Sequence, residues 1–259
     1  MFYSERLRSV VAIRRQVNGR TAPVGSGLFV SLGGRRYLVT CRHVVPNVII
    51  GDDCNGYARG VVVFPGPLCV RLKAKDNQRF IDIPVEIFDS GKKRKWRSFP
   101  YEDRPWDVAV FELNESVLSG FDVKWWREDE MLGAEESLAA GEAIRILSHA
   151  ESSTGESVPE DRDTEMESLE KQIWSSDLGG ITSNPLYYGA SGSLVYRFVK
   201  ESDQTPEEET RIQAVGIFTG AVPIENAQGG HFHYIQTAAA IIHAERDCLD
   251  NIGLSFESE

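Results

Sequence analysis

Twelve short runs rich in valine, isoleucine, phenylalanine and tyrosine recur along the chain, and glycine, proline, asparagine or aspartate lies near the ends of most of them. "SVVAIRRQV", "SGLFVSL", "RYLVTCRHVV", "GVVVFP", "LCVRLKA", "IPVEIFD" and "WDVAVFEL" fill the first half. "EAIRILSH", "QIWSSDL", "SLVYRFV", "IQAVGIFTG" and "HFHYIQT" fill the second. Segments of this length and punctuation read as strands, so the pattern restricts the chain to an all-β class. "GLFVSLGGRRYLVT" reads as a hairpin, because Gly33-Gly34 supplies the positive φ values of a tight turn. Helical spacing is clearest in the Ala-rich "TAAAIIHAERDCL" near the end. Residues 123–143 break the strand pattern and read as a connection, with Trp125 and Trp126 packing the linker. No repeat at solenoid periods is present. The expected organisation is two β-rich halves, residues 1–130 and 131–259, joined by a linker near 125–140 and closed by a helix.

Charge adds little to that picture. The net charge is −11, but residues 151–170 carry −7 and residues 201–209 carry −5, which leaves the remainder near +1. These two acidic blocks read as solvated loops; a sharper reading makes one of them a regulatory or partner-binding element. "GKKRKWRSF" (91–99) reads as a solvated basic hairpin tip rather than a nucleic-acid patch, since no other part of the chain is basic. No apolar run reaches the length of a membrane span, and the charged start "MFYSERLRSVVAIRRQ" has no apolar core for a secretory signal. The four cysteines, Cys41, Cys54, Cys69 and Cys248, lack metal-ligand spacing and read as reduced thiols in a cytoplasmic setting, with fortuitous pairing of two left open. No cofactor, metal, nucleic acid or membrane partner is expected.

Three motifs carry chemistry. "YLVTCRHVV" sets His43 just after an apolar strand, "RPWDVAVFEL" sets Asp107 at the head of another, and "GASGS" sets Ser191 in a glycine-bracketed turn before a third. A serine hydroxyl is a weak nucleophile near neutral pH and needs a base within hydrogen-bond reach. Imidazole suits that task, and a carboxylate fixes its tautomer and stabilises the imidazolium. The order His, Asp, Ser and the absence of helical crossovers exclude an α/β-hydrolase, which carries G-x-S-x-G and the order Ser, Asp, His; here Ser193 holds the fifth motif position.

In these motifs the chain resembles the chymotrypsin-like serine peptidases of the bacterial, disulfide-free type, from about "VGSGLFVSL" to the terminal helix. "GSGLFV…YLVTCRHVV" is similar to their strand pair ending in Thr-Ala-x-His, "DVAVFEL" to their Asp-led strand, and "GASGSLV" to their Gly-x-Ser-Gly-x-Pro-Val. "GEAIRILSHA" and "AVGIFTG" resemble the strand that opens their second barrel and the strand that edges the substrate cleft. The resemblance implies two six-stranded antiparallel barrels with the site between them. It implies His43 as general base, Asp107 as orienter, Ser191 as nucleophile, and the Gly189 and Ser191 N–H groups as an oxyanion hole. A protein or peptide would be the substrate.

The pattern also departs from the family. Ala190 stands where secreted members carry the aspartate that pairs with a new N-terminus, so that zymogen switch is ruled out. Leu194 replaces a proline, and Cys41 replaces a small alanine two residues before the histidine. For substrate binding the resemblance points to Pro185 at the pocket floor and to Phe218, Thr219 and Gly220 on the cleft edge. Phe218 stands where glutamate-selecting relatives carry histidine, which argues against that preference and hints at an uncharged side chain. Strand alternation turns His231 and His233 toward water; the alternative has them, His233 included, enter the pocket. The leading expectation is a serine endopeptidase of narrow specificity or under partner control. Its rival is a non-catalytic module that uses the same fold to bind a peptide or partner.

Overall fold

A computed structural model describes residues 1–17, 20–45, 49–50, 60–61, 67–76, 79–86, 96–97, 107–133, 135–136, 138–151, 157–168, 179–182, 190–199, 210–224 and 227–243. The strands of the first half are β1 (Val10–Val17), β2 (Arg20–Leu32), β3 (Arg35–Thr40), β4 (Ile49–Ile50), β5 (Gly60–Val61), β6 (Leu68–Lys73), β7 (Phe80–Val85), β8 (Trp96–Arg97) and β9 (Ala109–Glu112). A short helix α1 (Glu115–Leu118) and strand β10 (Trp126–Arg127) lead to β11 (Ala143–Glu151), β12 (Ser157–Ser168), β13 (Gly179–Thr182), β14 (Ser193–Phe198), β15 (Ile212–Ile224) and β16 (Ala227–Tyr234). Helix α2 (Ile235–His243) follows.

The all-β expectation holds. The second half is a closed antiparallel barrel of six strands in the order β11-β12-β13-β16-β15-β14. The first half is an eight-stranded sheet ordered β7-β6-β1-β2-β3-β9-β8, with β10 added in parallel on β2. Among the described residues its outer strands β7 and β8 do not pair, and no closed ring of six strands is seen there. The hairpin between β2 and β3 turns at Gly33-Gly34, with φ of 55° and 75° and Leu32 opposite Arg35.

Burial explains the strand pattern. Leu28, Phe29 and Val30 in β2 are all fully buried, because this central strand is covered on both faces. The Phe29 ring lies 4.9 Å from Trp125, and Trp126 pairs with Val30 and is fully buried. The tryptophans of the linker do pack, and they seal the outer side of β2. The chain crosses between halves at both ends. Tyr3 N–H donates to the Thr210 carbonyl (2.8 Å) and Ile212 N–H to the Met1 carbonyl (2.9 Å), while α2 packs against β9 as well as β15.

The acidic block 151–170 corrects the loop reading. Residues 157–168 form β12, paired with β11 from Ala143↔Glu165 to Glu151↔Ser157. A strand on a barrel wall needs apolar residues on one face only, so alternation rather than mean polarity decides. Asp163 is 81% exposed and pairs with Arg145 at 3.0 Å, whereas its neighbour Thr164 is buried. The terminal helix begins at Ile235, two residues before the expected start. The block 201–209, "QIWSSDL" and most of the basic stretch 91–99 lie outside the described residues, although Trp96–Arg97 pairs with β9.

Prolines at Asp163 and Thr164 distinguish strand from loop. Adjacent residues direct their N–H groups to opposite sides, so one of the two prolines removes a ladder donor facing β11. At least one of Asp163→Pro and Thr164→Pro is expected to cost about 1–3 kcal/mol, read as a lowered urea midpoint. Unchanged midpoints for both variants would contradict the strand.

Candidate active site

The register of two strands determines where His43 and Asp107 meet. β3 and β9 pair antiparallel from Tyr37↔Glu112 to Thr40↔Ala109, and extending that ladder brings residue 42 opposite 107. Beyond Thr40 the chain makes one 3-10 turn, Arg42–Val44, which carries His43 over the strand end. Asp107 grips it at two points. Oδ1 accepts the His43 backbone N–H (3.0 Å), and Oδ2 lies 2.6 Å from Nδ1. The His43 side chain is 48% exposed and that of Asp107 29%, so the pair sits at the mouth of the seam between halves. Burial pulls the His43 pKa down, but the charge and hydrogen bond of Asp107 outweigh it, and the net shift is upward from 6.5.

Ser191 arrives from the barrel. It occupies the turn before β14, next to Gly192, whose φ is 89°. A Cβ on Gly192 would lie 1.9 Å from the Ser26 carbonyl oxygen and 2.6 Å from Thr40 Oγ1, so both conformation and space demand glycine. The turn is fixed from three directions. Ser26 N–H donates to the Ser191 carbonyl (2.7 Å), Gly192 N–H to the Phe218 carbonyl (2.8 Å) and Ser193 N–H to the Ala190 carbonyl (2.9 Å). The Ser193 hydroxyl also donates to the Ala190 carbonyl, which occupies it away from the seam. The Ser191 hydroxyl donates to the Thr219 carbonyl at 3.4 Å, and among the described residues no hydrogen bond joins it to His43.

Residues that sequence reasoning passed over hold these parts together. A Cβ on Gly25 would meet Val44 Cγ2 at 2.7 Å and the Ser191 carbonyl at 2.9 Å, so the bare backbone of β2 lets the His43 turn and the Ser191 turn approach the same point. Ser26 is fully buried, and its polar groups all bond at the seam. Besides donating to Ser191 it accepts Thr40 Oγ1–H on its carbonyl (2.7 Å) and the His149 N–H on its hydroxyl (3.0 Å). The His149 Nε2–H donates to the Val10 carbonyl (3.1 Å), and burial lowers its pKa to about 4 against the opposing effect of that bond. The only advance signal was the run "GSG" before a strand, which any hairpin would tolerate.

The substrate-side expectations divide. Phe218 is buried in the core opposite Phe232, and its carbonyl, not its ring, faces the site, accepting from Gly192 N–H and from the Cys41 thiol (3.2 Å). Thr219 stands at a bulge in β15; its Oγ1 donates to the His231 carbonyl (3.1 Å) and lies 2.6 Å from His231 Nδ1. Gly220 pairs with His231 and is partly exposed. His231 and His233 do not face water: both are buried and their rings meet edge to face at 4.9 Å. Phe232 and Tyr234, on the other face of β16, are buried too, so both faces of the strand are covered at this level. Burial and the neighbouring His233 press the His231 pKa to about 3, Asp107 opposing weakly, so that ring stays neutral. Gly189 and Pro185 lie outside the described residues.

In comparisons with known proteins, no family model matches the chain and no curated protein is significantly similar to it.

The geometry fixes a pH dependence. Because the folded-state pKa of His43 lies above 6.5, the His43–Asp107 pair stabilises the fold fully below pH 6.5 and loses that contribution as pH rises through the folded value. Titration of the His43 ring by NMR is expected to give a pKa above 6.5 that falls in Asp107→Asn. An unchanged midpoint in the variant would show that Asp107 does not hold the ring.

Proposed function

We infer that this protein is a serine endopeptidase of the chymotrypsin-like kind, cutting peptide bonds through an acyl-enzyme on Ser191. The observation that carries the reading is the two-point grip of Asp107 on the backbone and ring of His43, because a carboxylate placed so leaves Nε2 as the free, basic nitrogen. The Ser191 turn comes from the barrel, before β14, and is locked to β2 through Ser26 and to β15 through Gly192. In this reading rotation about χ1 moves Oγ from the long bond to Thr219 toward His43; catalytic hydrogen bonds commonly tighten only when substrate is bound. His43 takes the hydroxyl proton as Oγ attacks the carbonyl carbon and returns it to the leaving amine. The Ser191 N–H, with Gly189, would receive the oxyanion.

The reading extends to the architecture and setting. It makes the first-half sheet the counterpart of the barrel, giving a double β-barrel with the site in its crevice. Cys41 and Cys69 are free thiols, in keeping with a reducing, cytoplasmic location. Proteolysis inside a cell requires restraint, and the Ser191 hydroxyl resting on Thr219 supports low basal activity raised by substrate or a protein partner. The same observation favours the second reading, a peptide-binding module on this fold. The two differ in whether Ser191 can be activated.

Labelling with a fluorophosphonate probe tests this. The native chain and Ser193→Ala are expected to label at Ser191, Ser191→Ala not at all, and Asp107→Asn about 10⁴-fold more slowly. No labelling of the native chain, alone or with peptide ligands present, would favour the binding module. Labelling that survives Ser191→Ala would refute the assignment.

A further inference from the structure

The Cys41 thiol has no part in the proposed reaction, yet it forms the floor beneath the residues that do. One donor atom from each of Cys41, His43 and Asp107 lies within 4.8 Å of the other two. The three come from the end of β3, the 3-10 turn and the head of β9, so the strand register that builds the His43–Asp107 pair also builds this cluster. We propose that Cys41, His43 and Asp107 form an inhibitory site for a thiophilic divalent cation of the zinc class, which takes the histidine and carboxylate away from each other.

The donor set selects the ion. A thiolate, an imidazole and a carboxylate are the three ligand types zinc accepts, and a water would complete a tetrahedron. Magnesium and calcium need more oxygens than the cluster offers. Bond lengths near 2.3 Å to sulfur and 2.0–2.2 Å to nitrogen and oxygen place tetrahedral ligands roughly 3.3–3.6 Å apart. The sulfur therefore needs at most a modest approach, while His43 Nδ1 and Asp107 Oδ2, now 2.6 Å apart, must open by about 0.7 Å. His43 and Asp107 are partly exposed and give the ion a path in, with the buried sulfur behind them.

The pocket keeps Cys41 a thiol until a cation enters. The Phe218 carbonyl accepts the thiol hydrogen at 3.2 Å and the Gly192 N–H at 2.8 Å, so the sulfur turns from that oxygen toward the cation when the hydrogen leaves. Burial and the charge of Asp107 hold the thiol protonated while the site is metal-free; a bound divalent cation deprotonates a coordinating thiol outright. Coordination through His43 Nδ1 shifts the proton of the neutral ring to Nε2, so each cation releases one proton from Cys41, and a second from His43 wherever the ring was imidazolium. The consequence for the proposed reaction is direct, since an imidazole carrying its proton on Nε2 cannot take one from Ser191.

Cobalt(II) is the probe, because a thiolate bond gives it a near-ultraviolet charge-transfer band that does not depend on activity. The native chain is expected to bind one cobalt with such a band, to release at least one proton, and to lose the band when zinc is added. Cys41→Ala should abolish the band, and His43→Ala, at a half-exposed ring, should weaken binding at least about 100-fold, more than loss of an outer partner costs. No band in the native chain, a band that survives in Cys41→Ala, or unchanged affinity in His43→Ala overturns the site. If Cys41→Ala fails to fold, the His43→Ala comparison decides alone. Fluorophosphonate labelling with and without zinc separates this proposal from the one before it. Labelling that zinc stops supports both, labelling that zinc leaves intact overturns the inhibitory role, and a cobalt band in a chain that never labels supports the metal site while the peptidase reading falls.

Discussion

The seam between the two halves depends on the polar groups of one buried residue, Ser26. Its N–H, carbonyl and hydroxyl bond respectively to the Ser191 carbonyl, the Thr40 hydroxyl and the His149 N–H. Each of these groups is shut off from water, so each lost bond would leave a desolvated partner behind, at a cost of about 1–3 kcal/mol. The position of Ser191 relative to the His43 strand is thereby set by short bonds between strands, not by a loop. Gly25 and Gly192 flank this point because neither strand could come so near with side chains in the way.

The electrostatics at the seam follow from the same dryness. Cys41, His149 and His231 are buried near the site, and burial holds each in its neutral form. His43 differs because Asp107 is close enough to reverse the effect of burial on its ring. The site thus joins one ion-pair-like contact at its mouth to a floor of uncharged polar groups. A cationic floor would compete for the carboxylate and let the imidazole swing away.

How much of this was legible depended on whether the information was local. Strand runs punctuated by glycine are local, and they anticipated β11, β14, β15 and β16 of the barrel; His43 and Asp107, each placed at a strand end, do meet. β12 was misread because composition averages over both faces of a strand, and Thr164 alternating with Asp163 is invisible in a count of charges. His231 and His233 were misread for the opposite reason: alternation says which residues share a face, but only what packs over that face decides whether it meets water. Ser26 and His149 could not be anticipated, since they meet across 123 residues of chain and Ser26 bonds Ser191 from farther still.

The crossing of both ends of the chain has a consequence for how the molecule comes into being. Tyr3 is held by Thr210, and α2 lies on β9, so neither half completes its surface from its own sequence. Contacts so distant along the chain make folding slow, because much loop entropy is lost before they return any energy. On the ribosome the first sheet emerges with the fitting place of its leading segment not yet synthesised, and must wait about a minute or less for β15 at ordinary rates of elongation. The seam therefore assembles last, and a chain halted before residue 190 would present His43 and Asp107 without Ser191.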